Sequence, residues 1–275
     1  MKTLSSTLCA LGLLAAACAP RQTPFSFVQL TDTQLRFTRD TGMEGVSDFQ
    51  LDSLHAEQAV AQTNELCPDF VIVTGDMVHD PYNESDQKAY QQIISKIKAP
   101  VYHIPGNHDI RNGKDPEAIS AYVTRFGYDR FSFAHNGFAI IGINSNIIID
   151  GNEQAETEQF EWLQGELQKA KAKAMPVYLF THCPVFLDLF DEGPSYNAFP
   201  QPLRRKYWDA FKEGGVKAII AGHLHRNHAT EFEGIETVIT GPIGFSFEGS
   251  GKEGFRLWNI TPEGHTSEFL YLNAD

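Results

Sequence analysis

Positive charge is scarce in this 275-residue chain: 22 Lys and Arg face 35 Asp and Glu, for a formal net charge of −13. A surface of that sign repels nucleic-acid backbones, so no nucleic-acid binding surface is expected unless a metal supplies local positive charge. Cysteine is scarcer still, with four in all. Cys9 and Cys18 lie in the N-terminal segment, which leaves Cys67 and Cys183. Two cysteines make no disulfide framework, and a chain of this size needs none, so free thiols are expected. No apolar run is long enough to cross a bilayer comfortably as a permanent helix, and no repeat or low-complexity segment is visible. The glycine-rich stretch GPIGFSFEGSGKEGF (241–255) lacks both a strand-then-helix context and a GKS or GKT ending, which excludes a nucleotide P-loop.

The first residues, MKTLSSTLCALGLLAAACAP, combine one lysine, a short apolar stretch, small residues and Cys18. That order reads as a secretory signal and not as a fold element. LAAAC resembles a bacterial lipobox, in which the cysteine is lipidated and becomes the first mature residue, although alanine replaces the usual leucine three positions before Cys18. A plain secreted protein is the alternative. The organisation expected is a signal at 1–18, a short linker at 19–24 and one domain at 25–275. The product would be an exported, monomeric cell-envelope lipoprotein, periplasmic or attached to the outer membrane, soluble in its body and anchored by lipid on Cys18.

With 42% apolar residues, the chain can bury one large core. FSFVQLT (25–31), DFVIVTG (69–75), PVYHIPG (100–106), FAIIGINS (138–145), PVYLFTH (176–182) and VKAIIAGH (216–223) are short, β-branched or aromatic runs, each bounded by glycine, proline or a polar residue. Such runs suit central strands buried on both faces. Between them, 48–66, 85–97, 115–126, 153–173 and 202–213 carry a helical period. Segment 131–144 reads as a hairpin about His135-Asn136-Gly137, and HATEFEG, IETVITG, FRLWNIT and HTSEFLYL make a β-rich tail. The fold class predicted is α/β, with two sheets packed face to face and covered by helices.

Chemistry-bearing side chains gather where the runs end. Asp32 and Gln34 follow the first, Asp76 the second, and Asn107, His108 and Asp109 the third. His182 ends the fifth, and His223 and His225 the sixth. Ligands of open α/β sheets bind beyond the carboxyl ends of strands. Seven mixed oxygen and nitrogen donors (Asp32, Gln34, Asp76, Asn107, His182, His223 and His225) are too many for one tetrahedral ion. They suit two ions roughly 3.5–4 Å apart, bridged by a carboxylate and a water-derived hydroxide. Taken singly, a Gly-Asp turn is more often structural, and a strand-capping histidine or a GHLH turn is as often structural as functional. All of them together in this order are not accidental.

The order D-x-Q, GD, GNHD, H, GHLH resembles the calcineurin-like metallophosphoesterase superfamily, and specifically its branch with glutamine in the first motif, whose animal members are protein serine/threonine phosphatases. The resemblance spans about residues 25 to 272. It implies a four-layer α/β/β/α sandwich of two mixed sheets flanked by helices, with two divalent or trivalent metal ions (Mn, Fe or Zn). Asp32, Gln34, Asp76 and His225 would hold the first ion. Asp76, Asn107, His182 and His223 would hold the second, with Asp76 as the bridge. His108 would be the general acid, and Asp109 its orienting partner; Asp80, next to His79 in the place where many phosphoprotein members carry aspartate, is the other candidate partner. The activity implied is hydrolysis of a phosphorylated substrate, a phosphoprotein or small phosphomonoester. The alternatives are a phosphodiesterase acting on nucleotides or lipid head groups, and a lipoprotein that binds ligands without turnover. Phe186, Tyr196 and Phe199 are candidates to line the substrate cleft. His103 reads as a packed core imidazole and Arg111 as a solvated loop residue.

Overall fold

Two sheets account for the strands. A computed structural model describes residues 20–37 and 46–273; the signal segment and Cys18 lie outside the described residues. The first sheet has the order β11-β10-β1-β2-β3, with β1 at Phe25–Leu30, β2 at Phe70–Val73, β3 at Val101–His103, β10 at Gly254–Thr261 and β11 at Gly264–Tyr271. The second runs β4-β5-β6-β7-β9-β8, with β4 at Phe131–His135, β5 at Phe138–Gly142, β6 at Val177–Phe180, β7 at Val216–Ala221, β8 at His228–Phe232 and β9 at Ile235–Ile239. Strands β1, β2 and β3 are parallel, as are β5, β6, β7 and β9. The tail hairpins add antiparallel neighbours, which makes both sheets mixed.

The two-residue period of the strands sorts their side chains into three cores. Phe27, Phe70, Ile72, Tyr178, Phe180, Ile220 and Trp258 fill the space between the sheets. Val28, Leu30, Val71 and Val73 face outward onto Ala59 and Val60 of α1 (Asp48–Leu66) and Tyr90 and Ile93 of α2 (Glu84–Ile94). On the other side, Ile141, Leu179 and Ile219 meet Leu163 and Leu167 of α5 (Glu153–Ala172) and Trp208 and Phe211 of α6 (Gln201–Glu213). The result is the four-layer sandwich, helices outside and sheets inside. Helix α3 (Pro116–Phe126) also forms where its period places it, with Asp115 capping its first turn and Gly127 closing it at φ 87°. The single-turn α4 (Asn146–Ile149) was not legible, because its NIII sequence continues a β-branched run. No helix among the described residues is long and apolar enough to cross a membrane.

A buried polar staple joins the sheets beneath the strand ends. Gln29 on β1 donates from Nε2 to Thr74 Oγ1 at 3.0 Å and to the Ala221 carbonyl at 2.9 Å, and its Oε1 accepts from Thr240 Oγ1 at 2.6 Å. Its partners follow β2, β7 and β9, so one fully buried side chain fixes both sheets at the rim. Gln29→Leu would leave the buried Thr240 hydroxyl without its acceptor and take one of two donors from the Ala221 carbonyl, which keeps the Thr240 N–H. Urea denaturation should show a loss of about 2–4 kcal/mol, with turnover falling alongside; a loss below about 0.5 kcal/mol would mean that the staple contributes nothing.

Candidate metal centre

Five of the seven expected ligands leave their strands through an unusual backbone turn. Asp32, Gln34, Asp76, His223 and His225 have φ of 50°, 40°, 52°, 73° and 51°, in the left-handed region that non-glycine residues avoid. Strain of this kind persists only where surrounding structure imposes it, and it clusters at functional sites. Two glycines give the turns room. A Cβ on Gly106 would lie 2.1 Å from Asp76 Oδ1, and one on Gly222 would lie 2.0 Å from Thr31 Oγ1 and 2.6 Å from Asp32 Oδ2. Gly106 is therefore required for its lack of volume.

The side chains converge. Ligand atoms of Asp32, Asp76 and His225 lie within 4.8 Å of one another, and so do those of His182, Cys183 and His223. His182 links the two groups: its Nε2 is 3.4 Å from Asp76 Oδ2 and 3.0 Å from Asn107 Oδ1. His225 Nε2 stands 3.4 Å from Asp32 Oδ1. Gln34 is fastened beside Asp76 by its backbone N–H, which donates to the Asp76 carbonyl at 2.8 Å. Side chains of Asp32, Asp76, Asn107, His182, His223 and His225 thus meet at one rim, from ends of strands on both sheets, and Gln34 joins them there through its backbone.

Hydrogen bonds fix the ring nitrogens. His182 Nδ1 donates to the Thr74 carbonyl at 2.7 Å, and His225 Nδ1 donates to the Phe245 carbonyl. In each case the carbonyl can only accept, so Nδ1 keeps its proton and Nε2 is the nitrogen that faces the carboxylate oxygens, where a cation would replace a proton. His223 Nε2 lies 3.2 Å from Asn197 Oδ1, which accepts from it and leaves Nδ1 as the donor to a cation. Asn197 was not expected from the sequence; it lies in an irregular loop with no local signal. A second missed residue is buried Asn146, whose Nδ2 donates to the carbonyls of Pro105 and Gly106 at 3.3 and 3.0 Å and so holds the GNHD turn.

Charge follows the geometry. Burial opposes ionisation of Asp32 and Asp76, yet His225 acting on the first and His182 on the second keep both below the usual carboxylate range. Burial would likewise lower His182, but Asp76 overrides it and holds the imidazole up at about 9. His223 is pushed down to about 4 by burial and by His182.

Asp109 takes a place different from the one expected. Its carboxylate accepts from the backbone N–H groups of Asp76, Met77 and Gly106 at 2.7, 3.0 and 2.8 Å, and so clamps two strand ends together. Burial and neighbouring Asp76 raise it to about 7. The partner of His108 is a carbonyl: Nδ1 donates to His79 O at 2.9 Å, and the two rings stack at 4.7 Å. Asp80 is occupied by Arg111, 3.6 Å away on an exposed loop. Phe186 and Phe199 are core residues and line no cleft, while Tyr196 is exposed and tilts over the His223 ring at 5.7 Å. His103 is a buried imidazole kept neutral, its pKa lowered to about 4 by desolvation. His228 turns away, toward the Leu187 carbonyl. Cys67 and Cys183 are free thiols, and burial pushes Cys183 up, out of the thiolate range.

The model of the family described as "Calcineurin-like phosphoesterase" matches residues 25–227. The chain belongs to that family. As a calcineurin-like phosphoesterase it is a hydrolase acting on phosphoric esters, of a family that depends on two metal ions. It is 29% identical over 265 residues to the bovine (Bos taurus) serine/threonine-protein phosphatase CPPED1, covering 91% of this chain and 84% of that one. It is 25% identical over 218 residues to a Psychrobacter protein named "Probable cyclic nucleotide phosphodiesterase", covering 75% of this chain and 60% of that one. Among solved structures, a dimetal phosphatase from Danio rerio shares the fold at a TM-score of 0.65 and 13% identity, over 90% of this chain and 99% of that one.

The residues of this calcineurin-like phosphoesterase fit the metals that the family uses. Asp32 Oδ1 and Gln34 Oε1 are buried with no hydrogen-bond partner among the described residues, an arrangement that costs free energy unless a cation meets them. Three imidazole lone pairs, two carboxylates and two amide oxygens form a mixed donor set suited to borderline ions.

Proposed function

We propose that the chain is a phosphomonoesterase that uses two metal ions and His108 as general acid. The meeting of the carboxylate, amide and imidazole donors at one rim, with His108 tied to Asp76 by its backbone N–H, supports the reading. Asp32, Gln34, Asp76 and His225 would hold one ion, and Asp76, Asn107, His182 and His223 the other, of Mn, Fe or Zn. Bound there, the two cations would offset the phosphoryl charge and acidify the attacking water. The remaining steps belong to the chain. Water adds to phosphorus as the ester P–O bond breaks, and His108 Nε2 gives its proton to the departing alkoxide, releasing an alcohol and inorganic phosphate. The His79 carbonyl and the ring stack keep the His108 imidazole aimed.

The breadth of the match to a protein named as a serine/threonine phosphatase supports a monoester, either on a phosphoprotein or on a small molecule. The Psychrobacter relative supports the second reading, a phosphodiesterase on nucleotides or lipid head groups. After loading with Mn, Fe or Zn, p-nitrophenyl phosphate should be hydrolysed at least about tenfold faster than bis-p-nitrophenyl phosphate. A faster bis-ester would establish the second reading. Absence of hydrolysis with retained binding of a phosphorylated ligand would establish the non-catalytic one. We further propose, from the lipobox-like LAAAC alone, that the chain is exported and anchored by lipid on Cys18 as a monomer; mass spectrometry of the mature N-terminus tests the modification.

A further inference from the structure

A line of aromatic rings flanks the metal centre, and its three phenylalanines have no part in the reaction above. Phe247, in the loop after β9, is 66% exposed, and its ring lies 5.0 Å from that of His225. It meets Phe37 at 6.4 Å and Phe245 at 5.4 Å, edge-on in both cases. Phe37 stacks on Phe245 at 5.3 Å and turns its edge to His79 at 5.4 Å. His79 stacks in turn on His108. The rings therefore run from a ligand of the first ion to the proton donor, with Phe247 as the exposed end. Tyr196 is equally exposed on the His223 side, but no ring contact among the described residues joins it to His108.

A single exposed phenyl ring needs no explanation. This one stands against the ring of His225 and opens a wall whose far end is His108, so an ester group bound at the ions lies along the wall. An alkyl alcohol gains only apolar contact there. A ring on the ester oxygen finds offset and edge-on partners. We infer that Phe247, backed by Phe37, is a specificity residue favouring phosphomonoesters with an aromatic ring on the ester oxygen, phosphotyrosine side chains among them, over alkyl esters such as phosphoserine. The inference rests on the monoesterase reading, and it sets this chain apart from relatives whose names carry serine and threonine.

The test uses two peptides identical except for phosphotyrosine or phosphoserine, with metal-loaded wild type, Phe247→Ala, Phe247→Leu and Tyr196→Ala. The readout is the ratio of kcat/KM for the two esters, compared between variants so that intrinsic leaving-group reactivity cancels. Phe247→Ala should lower the tyrosine-to-serine ratio about 3- to 10-fold. Phe247→Leu, which keeps apolar bulk but no ring, should lower it similarly, and Tyr196→Ala should leave it in place. A ratio unmoved by Phe247→Ala, preserved by Phe247→Leu, or lowered equally by Tyr196→Ala overturns the inference while the monoesterase reading stands. No turnover of either ester by wild type overturns both.

Discussion

Asp76→Asn should cost the enzyme about a thousandfold or more in kcat/KM, and elemental analysis should find both ions diminished in the same preparation. Asparagine tolerates the left-handed backbone that Asp76 adopts at φ 52°. Its amide oxygen can still accept from the His108 N–H, now 2.8 Å from Asp76 Oδ1. What disappears is the charge shared by both ligand sets. The metal-free fold should lose stability as well at pH 7, because the Asp76 carboxylate and the His182 imidazole, 3.4 Å apart, each hold the other charged, while relief of Asp109, which Asp76 helps to raise, offsets part of that loss. Chemical denaturation of the metal-free variant should therefore show stability below wild type. Activity lost with metal content intact would remove Asp76 from its bridging role, and unchanged stability without metal would mean that its charge does not serve the fold.

The second large effect belongs to His108. Among the described residues its ring makes one hydrogen bond, through Nδ1 to the His79 carbonyl, while its backbone N–H holds Asp76. His108→Ala keeps the backbone contact and removes only the ring. Metal content should therefore stay at the wild-type level, while kcat for alkyl phosphates falls by about 10²–10⁴-fold. p-Nitrophenyl phosphate, whose leaving group needs little help from an acid, should suffer far less. The dependence of rate on leaving-group acidity should steepen accordingly. An equal loss across all esters, or a loss of metal, would place His108 among the structural residues.

Much of this was legible beforehand. The strands were visible because each central one is a continuous apolar run, and burial on both faces demands that. The ligands were visible because strand ends are where such side chains have no structural reason to collect. What stayed hidden depends on partners far away in sequence. Nothing local marks Gln29 as the residue that joins Thr74, Ala221 and Thr240, or Asn197 as the holder of His223. Asp109 was misread for a related reason. Adjacency to His108 suggested a side-chain pair, whereas the turn sends its carboxylate back into three amides. Gly106 follows the same lesson, since a requirement for empty space is set by Asp76, thirty residues earlier. α4 escaped because isoleucine serves a helical turn as readily as a strand once Ser145 and Asn146 are tied down by their neighbours.

The donors sit where strands end, whereas Phe247 projects from the irregular stretch 240–253. That stretch also carries Phe245, whose carbonyl orients His225, so catalyst and selector share a loop but not a side chain. Exchanging only the tip about Phe247 should retarget the enzyme while sparing the cage, which makes this sandwich a chassis for altered ester preference.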